Sequence, residues 1–201
     1  MKLVAGLGNP GRDYERTFHN IGFDVAELLC QRACGEWKDS LSFMARLAKV
    51  TVDDTVLLLV KPMTYMNASG ESVGPLMRYY KMEPGDVIAV LDDVELPPGR
   101  LRIRAGGGTG GHNGLASLTY ALGTPEFPRV RIGVGRSAHR EQSLAKHVLQ
   151  AIPAETRAIL DKVIPVAADA VCTVARHGVD AAMNMYNGIS FEDKPLEDKS
   201  C

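Results

Sequence analysis

Long apolar runs, paired cysteines and an excess of charge are all missing from this sequence of 201 residues. No stretch approaches the roughly 20 apolar residues of a membrane span, and the N-terminal MKLVAGLGNPG has too short an apolar run for a signal peptide. The four cysteines form no C-x-x-C pair, so we interpret them as reduced thiols rather than as metal ligands or disulfide partners. They are Cys30, Cys34, Cys172 and Cys201. These absences lead us to expect a cytoplasmic protein without a membrane anchor.

The pattern of apolar residues predicts strands that alternate with helices. A hydrophobic content of 45% over 201 residues suits one compact domain. Strands are predicted over residues 2–8, 43–50, 55–61, 86–91, 101–105 and 129–134, and helices over residues 21–34, 68–82, 114–122, 153–176 and 178–187. The predicted fold is a single α/β domain over residues 1–189, with a twisted mixed β-sheet and helices on both faces. Residues 190–201 are polar, and we expect them to form a mobile tail.

Charge is distributed unevenly, although the net charge of −1 by itself argues against an RNA partner. Residues 99–140 contain seven arginines and one acid, Glu126, so this segment carries +6 and the remainder −7. Residues 101–105 alternate apolar residues with Arg102 and Arg104, as in a half-buried strand whose arginines share one side. Such a face either binds a polyanion or is simply solvated, and charge alone does not separate these alternatives.

Two short motifs match enzyme signatures but lack the structural context that the signatures need. Residues 6–11, GLGNPG, match the dinucleotide-binding G-x-G-x-x-G, yet the residues after them have no apolar helix stripe. Residues 70–74, GESVG, match the nucleophile elbow of serine esterases, and Ser72, Asp92 and His112 follow in triad order. Ser72 lies well past the nearest predicted strand, inside a helical pattern, so we interpret it as an exposed helix residue.

Polar residues beside glycines recur in three short segments, which span residues 9–22, 61–67 and 106–114. Asn9 follows the first predicted strand, and Asp92 closes the apolar strand over residues 86–91. Polar residues just beyond the carboxyl ends of strands usually line the sites of α/β sheets. We therefore expect these segments to form one cleft. The glycine-rich third segment runs directly into a helix, for which Asn113 is a suitable N-cap.

A histidine beside a carboxylate makes a general base, because the carboxylate fixes the tautomer and stabilises the imidazolium. From the residues alone, His19 and His112 both qualify, since each precedes an asparagine, and Asp93 is a rival for Asp92. Asparagine amides can stabilise the oxyanion of acyl transfer, where the loss of one donor costs roughly 3 kcal/mol. No cluster has metal-ligand spacing, so we expect hydrolysis by activated water, without a metal or another cofactor.

Taken in chain order, these segments resemble the bacterial peptidyl-tRNA hydrolases. The shared motifs are GLGNPG, Y-x-x-T-x-H-N-x-G, KP-x-T-Y-MN-x-SG, D-D with LPPG, GG-x-GGHNG and R-x-RIG-x-G, and they span residues 3 to 136. The resemblance implies a single-domain, monomeric α/β protein whose partner is peptidyl-tRNA. It implies hydrolysis of the ester between a peptide and the 3′ ribose of tRNA, which recycles tRNA dropped from stalled ribosomes.

By matching positions, the resemblance also implies residue roles. His19 would activate water, Asp92 would support its basic form, and Asn9 would contact the peptide and favour blocked over free aminoacyl-tRNA. Arg104 and Arg131 would clamp the 5′ phosphate of the tRNA, a contact that gives affinity rather than base specificity. The other residues assigned to substrate binding are Tyr14, Tyr65, Met66, Asn67, His112 and Asn113.

The chain departs from the family pattern at a few positions. Phe18 stands where the family usually has arginine before the catalytic histidine, which affects a local contact to RNA or carboxylate rather than the chemistry. The loop over Ser137–Gln142 matches poorly, so Arg140 carries over only weakly. Asn20 is predicted to be structural. Three further histidines have no companions in the sequence and are predicted to lie at the surface: His139, His147 and His177.

Overall fold

The computed structural model describes residues 1–136 and 143–191, whose seven strands form one sheet in the order β2-β3-β4-β1-β5-β7-β6. The strands are β1 (Lys2–Gly6), β2 (Lys38–Ser40), β3 (Ala45–Val52), β4 (Thr55–Pro62), β5 (Val87–Asp93), β6 (Leu101–Arg104) and β7 (Arg129–Gly133). β4, β1, β5 and β7 run parallel to one another. β2 and β3, β3 and β4, and β6 and β7 pair antiparallel. The predicted mixed sheet is confirmed.

Helices cover both faces of this sheet. They are α1 (Ile21–Arg32), α2 (Ser69–Tyr79), α3 (Asn113–Leu122), α4 (Leu144–Val148), α5 (Ala154–His177) and α6 (Val179–Tyr186). Alternate residues of a strand point to opposite faces, so the central strands contribute to two apolar cores. In β1, Val4 belongs to the core covered by α1, α5 and α6, whereas Leu3 and Ala5 belong to the core covered by α2 and α3.

The strands β3 and β4, both predicted, are joined in a hairpin by a tight turn. Asp53 and Asp54 adopt positive φ angles of 42° and 65° between two strands of eight residues each. Aspartate tolerates this left-handed region better than most residues, and such turns match the twist of a hairpin. On its other side β4 pairs in parallel with β1, so that the chain after Pro62 emerges next to the chain after Gly6.

Close backbone packing fixes α1 against the centre of the sheet. A Cβ atom at Gly22 would lie 2.3 Å from the carbonyl oxygen of Val90, and one at Gly6 would lie 2.4 Å from the carbonyl oxygen of Gly22. Only glycine permits this approach at both positions. The start of α1, with His19 and Asn20 just before it, is therefore held at the edge where β1 and β5 end.

The structure also differs from the sequence-based expectation in places. β2 and α4 were not predicted, since neither has a run of apolar residues long enough to show a period. The N-cap of α3 is His112 and not Asn113, which is the first residue of the helix. Phe191 donates its amide hydrogen to the carbonyl of Gly99 at 2.9 Å, and its neighbour Ser190 also bridges to the same segment, so the predicted tail begins in contact with the domain. Within the described residues, every helix is too short or too polar to span a bilayer.

Candidate active site

Polar residues from several loops meet at the sheet edge where β1, β4 and β5 end. Asn9 follows β1, Asn67 follows β4, and Asp92 lies near the end of β5. The loop that leads into α3 brings His112 and Asn113 to the same place, so residues of all the predicted segments line two adjoining cavities. The sequence-based expectation of one shared cleft agrees with this arrangement.

His19 is steered by a buried carboxylate. Its Nδ1 lies 2.8 Å from Oδ1 of Asp92, whose side chain is almost fully buried. Burial alone would raise the pKa of Asp92, but the charges and hydrogen bonds of His112 and His19 outweigh burial and hold this pKa well below its ordinary value. Because the carboxylate stays ionised, Nδ1 of His19 is the protonated donor, and Nε2 keeps its lone pair.

His112 contacts the same carboxylate but uses both of its ring nitrogens. Its Nδ1 accepts hydrogen bonds from the backbone amides of Gly114 at 3.1 Å and Leu115 at 3.3 Å, which caps α3. Nδ1 must therefore be unprotonated, and the ring proton lies on Nε2, which donates to Oδ1 of Asp92 at 3.1 Å. No lone pair remains for a substrate, so the geometry separates the two histidines that the sequence left open.

The His19, Asp92 and His112 ligand atoms lie within 4.8 Å of one another, close enough to surround a metal ion. The hydrogen bonds oppose that use. A metal on Nε2 of His112 would force the ring proton onto Nδ1, against the two amide donors of the α3 cap. A metal on Nδ1 of His19 would likewise move the proton of that ring to Nε2. The arrangement is therefore built around two imidazole protons shared with one carboxylate.

Asn20, which was predicted to be structural, ties together the two ends of the loop between β1 and α1. Its Oδ1 accepts from the backbone amide of Asn9 at 2.8 Å, and its Nδ2 donates to the backbone carbonyl of Asn9 at 3.0 Å. Oδ1 of Asn9 in turn accepts from the backbone amide of Met66 at 2.8 Å. Asn20 therefore sets the position of Asn9 relative to the adjacent His19, and the Nδ2 group of Asn9 keeps its hydrogen atoms for a ligand.

The cleft has two lobes that share a wall formed by His19, Asn113, Ala145 and Val148. We call the first the amide lobe; its volume is about 360 Å³. It contains five of the predicted substrate-binding residues together with Asn9: Tyr14, Tyr65, Met66, Asn67 and Asn113. We call the second the arginine lobe; its volume is about 120 Å³. Asp92, His112 and Arg131 line it, beside the backbone of residues 109–111.

The basic segment is less uniform than its composition indicates. Arg129 is buried, stacks on Phe127 and donates to the carbonyls of Gly107 at 2.9 Å and Gly108 at 3.1 Å, so it holds the glycine-rich loop instead of meeting solvent. Burial, and then the nearby charge of Arg131, lower the pKa of this guanidinium. Arg129 therefore adds no charge to the exposed basic face, although its segment is rich in arginine.

Other arginines of the segment already have carboxylate partners. Nε of Arg131 lies 3.0 Å from Oδ2 of Asp93, and Arg136 pairs with Glu95. Asp93, the sequence-level rival of Asp92, thus serves Arg131 and does not contact His19. Arg104 is exposed on the edge strand β6, outside both lobes, as is Arg102. Arg140 lies outside the described residues.

Ser72 is not the exposed helix residue that its pattern indicated. It lies in α2 as predicted, but it is fully buried and its hydroxyl donates to the carbonyl of Met44 at 2.9 Å. It lines neither lobe of the cleft. The match to a serine-esterase motif is therefore structural, because the hydroxyl satisfies a buried carbonyl between α2 and the start of β3.

The departure at Phe18 also has a structural explanation. Phe18 is buried, and its ring centroid lies 4.9 Å from that of His147 in α4. His147 was predicted to lie at the surface, but it is buried and donates from Nε2 to the carbonyl of Gly135 at 3.0 Å. The pair fastens α4 beside His19. His177 is exposed as predicted, and His139 lies outside the described residues.

The fold and the site together define a class of protein: an α/β protein whose cleft carries a carboxylate-steered histidine with one free ring nitrogen, suited to hydrolysis by activated water. Residues 3–195 match the family model described as peptidyl-tRNA hydrolase. This chain therefore belongs to the peptidyl-tRNA hydrolase family.

Individual relatives agree with the family assignment. A peptidyl-tRNA hydrolase of Clostridium perfringens is 41% identical over 192 residues, which cover 96% of this chain and all of the relative. One from Chlorobaculum tepidum is 46% identical over 188 residues, which cover 94% of this chain and 98% of the relative. The crystal structure of peptidyl-tRNA hydrolase from Acinetobacter baumannii superposes with a TM-score of 0.89 at 34% identity, covering 96% of this chain and 97% of that one.

Proposed function

We propose that this protein hydrolyses the ester bond of peptidyl-tRNA, releasing free tRNA and the peptide, with water that His19 deprotonates. The observation that carries the residue assignment is the difference between the two ring nitrogens of His19. Nδ1 is bound to Asp92 at 2.8 Å, whereas Nε2 has no hydrogen-bond partner among the described residues, and His19 itself forms part of the wall that the two lobes share. A base placed there meets an ester that joins a peptide in one lobe to a ribose in the other.

The reaction then follows the protonation states of the site. Nε2 of His19 takes a proton from water as the water oxygen attacks the ester carbonyl, and Asp92 stabilises the imidazolium. The tetrahedral intermediate collapses by breaking its bond to the 3′ ribose oxygen, which takes the proton back from His19. Such proton transfer contributes on the order of 10²–10⁴ in rate. Asn113, at the shared wall, supplies an amide donor near the developing oxyanion.

The amide lobe suits the peptide. Oδ1 of Asn9 is already occupied by the amide of Met66, so the group that Asn9 offers to a substrate is a donor. A donor binds the carbonyl of a blocked amino group but gains nothing from a free ammonium group. This supports selectivity for peptidyl-tRNA over aminoacyl-tRNA. Tyr14, Tyr65, Met66 and Asn67 complete the lobe around the peptide.

The arginine lobe and β6 suit the RNA. Arg131 lies inside the lobe, held by Asp93, and Arg104 lies on the exposed edge strand. We assign both to phosphate contacts, which fix the position of the tRNA without reading its sequence. The protein is proposed to act as a cytoplasmic monomer without a metal. A binding module of the same fold is the alternative, but RNA binding alone gives no use for the free nitrogen of His19.

The test is replacement of His19 by alanine, with cleavage of N-acetylaminoacyl-tRNA and binding of tRNA measured on the same preparation. We expect kcat to fall by about 10²–10⁴ because the base is lost, while tRNA binding persists. His177→Ala, which removes an exposed histidine, is the matched control and should keep full activity. Ser72→Ala should also remain active. Full activity in the His19 variant would remove the assignment, and an inactive but folded Ser72 variant would revive a serine nucleophile.

A further inference from the structure

Exposed apolar side chains are concentrated at one edge of the molecule. Five large ones come from three stretches of the chain that the fold brings together: Leu41, Met44, Met63, Tyr65 and Tyr79. Leu41 is 93% exposed and Tyr79 68%. Single exposed apolar residues are ordinary, whereas a contiguous group often marks a binding surface. We call this group the apolar strip.

The sheet topology places the apolar strip at the same edge as the active site. β3 begins at Ala45, which pairs with Pro62 at the end of β4, so the residues before β3 and those after β4 lie side by side. The amide of Met63 donates to the carbonyl of Met44 at 2.8 Å, which joins these two segments directly. Since β4 lies next to β1, this edge continues to Asn9 without a break.

The apolar strip begins inside the cleft and runs outward from it. Tyr65 lines the amide lobe, where its ring meets that of Tyr14 at a centroid distance of 6.2 Å. Met63 lines a neighbouring depression that also includes Asn9. Tyr65 and Met63 therefore border the two sides of the asparagine that we assign to the peptide, and the strip continues from them to Met44 and Leu41.

Contacts beneath the apolar strip hold it in place before any ligand arrives. The rings of Phe43 and Tyr79 pack edge to face, with centroids 5.4 Å apart. The carbonyl of Met44 receives two hydrogen bonds, one from the hydroxyl of Ser72 and one from the amide of Met63. A surface that is already ordered loses little conformational entropy on binding. This gives a use to the buried hydroxyl of Ser72, which the hydrolytic mechanism does not need.

We propose that the apolar strip binds apolar side chains of the substrate peptide, upstream of the residue that is esterified to the tRNA. The inference rests on the proposed function, because it takes the amide lobe as the place of the peptide. An extended chain advances about 3.3 Å per residue, so the upstream residues of a longer peptide lie further out along the strip than a single N-blocked residue does. The strip therefore confers a preference for apolar residues upstream of the esterified one.

The experiment compares three substrates with the same tRNA and the same esterified residue: N-acetylaminoacyl-tRNA, an N-acetylated tetrapeptidyl-tRNA with leucine at the upstream positions, and its counterpart with serine there. The wild-type protein should show a kcat/KM on the order of tenfold higher for the leucine peptide than for the serine peptide, as expected from burial of one apolar side chain. Leu41→Ser combined with Met44→Ser should reduce this ratio to about one, while cleavage of the N-acetylaminoacyl substrate stays unchanged. Both side chains are exposed, and neither belongs to the two apolar cores.

Tyr120→Ser removes a side chain that is 91% exposed on α3 and should leave the ratio intact, which controls for a general loss of apolar surface. The proposal is overturned if the wild type does not distinguish the two peptides, or if the double variant keeps the preference. It is also overturned if the wild type self-associates through this surface and the double variant does not, as measured by sedimentation. If no substrate is cleaved at all, the proposed function itself has failed, which is a separate result.

Discussion

The loops that carry His19 and His112 have similar sequences, but their histidine rings make different hydrogen bonds. Each places a histidine before an asparagine, and both rings bind the same oxygen of Asp92. After His112 the chain turns directly into α3, whose first amides take Nδ1 as their acceptor. After His19 the chain also enters a helix, but the amides at the start of α1 make no hydrogen bond to a capping side chain.

The difference shows that a ring nitrogen stays free for a ligand when no nearby backbone amide donates to it. The identity of the dipeptide does not decide this. In the first loop, the side chain of Asn20 is turned toward the backbone of Asn9, and His19 keeps one free nitrogen. In the second loop, the histidine itself satisfies the helix. Three variants, taken from the largest expected effect to the smallest, break or sharpen this comparison.

Asp92→Asn removes the charge that both histidines contact, and of the three variants we expect it to lose the most activity. The amide can donate to His19 Nδ1 and so favour the wrong tautomer, which should lower kcat by about 10²–10⁴. The measurement is single-turnover cleavage of N-acetylaminoacyl-tRNA. Asp93→Asn is the matched control, because Asp93 contacts Arg131 and not His19. An Asp93 variant that lost as much activity as the Asp92 variant would show that the wrong carboxylate has been chosen.

The same variant has a signature in stability. Because the folded-state pKa of Asp92 is depressed, its contribution to the free energy of unfolding is present above the ordinary aspartate value of about 3.9 and is lost as pH falls from there through the folded-state pKa. Denaturant unfolding from pH 6 down to the acid range should therefore decline more gently in Asp92→Asn than in the wild type. Equal slopes would mean that the two histidines do not stabilise the carboxylate.

Asn20→Ala removes the two hydrogen bonds that hold the backbone of Asn9 and leaves the side chains of His19, Asp92 and Asn9 unchanged in identity. We expect kcat/KM to fall by roughly ten- to a hundredfold, because small displacements of positioned groups are costly. Selectivity for blocked over free aminoacyl-tRNA should fall as well, since Asn9 moves. Asn20→Asp, which keeps the acceptor for the amide of Asn9 and loses the donor, should lie between the alanine variant and the wild type.

A second asparagine in this chain provides the control for that prediction. Asn187 clamps the backbone of Ile103 in the same manner, with hydrogen bonds of 2.7 Å and 3.2 Å, far along the sheet at β6. Asn187→Ala should lose comparable stability and keep the selectivity for blocked substrates. If both alanine variants changed selectivity alike, Asn20 would have no positioning role of its own.

His112→Ala tests the second loop and should have the smallest effect on catalysis. The loss of the N-cap should lower the free energy of unfolding by about 1 kcal/mol, and activity should fall several-fold at most because the base remains. His112→Asn restores a good N-cap without the bond to Asp92, so it should recover the stability and not the activity. The pair is read by chemical denaturation and by the pH profile of kcat. Disappearance of the acid limb of that profile in His112→Ala would exchange the roles of the two histidines.

Local patterns predicted the elements that carry the site, because their signals are contained in short stretches of chain. The buried run before Asp92 and the two aspartates between β3 and β4 each specify their structure within a few residues. The order of the strands across the sheet has no such local signal. It is fixed by which faces cover which core, so the neighbourhood of His19 and Asp92, 73 positions apart, is visible only in three dimensions.

Polar residues whose burial the sequence does not indicate share a physical cause. Arg129 and His147 are polar residues that are buried because carbonyls distant in sequence satisfy them, as Gly107 and Gly135 do. Ser72 is buried against the carbonyl of Met44 for the same reason. A polar residue is predicted to be exposed unless its buried hydrogen-bond partner is known. The cap of α3 was assigned one residue too late because histidine is an uncommon N-cap and Asn113 a common one.

Arg129 gives the glycine-rich loop a shape that its own residues do not encode. Glycines impose almost no preference on a backbone. Here the guanidinium of Arg129 donates hydrogen bonds to two successive carbonyls, those of Gly107 and Gly108. The conformation of residues 106–111 thus depends on Arg129, the first residue of β7. If these glycines were transferred to another scaffold without that arginine, the loop would keep its composition but not its conformation.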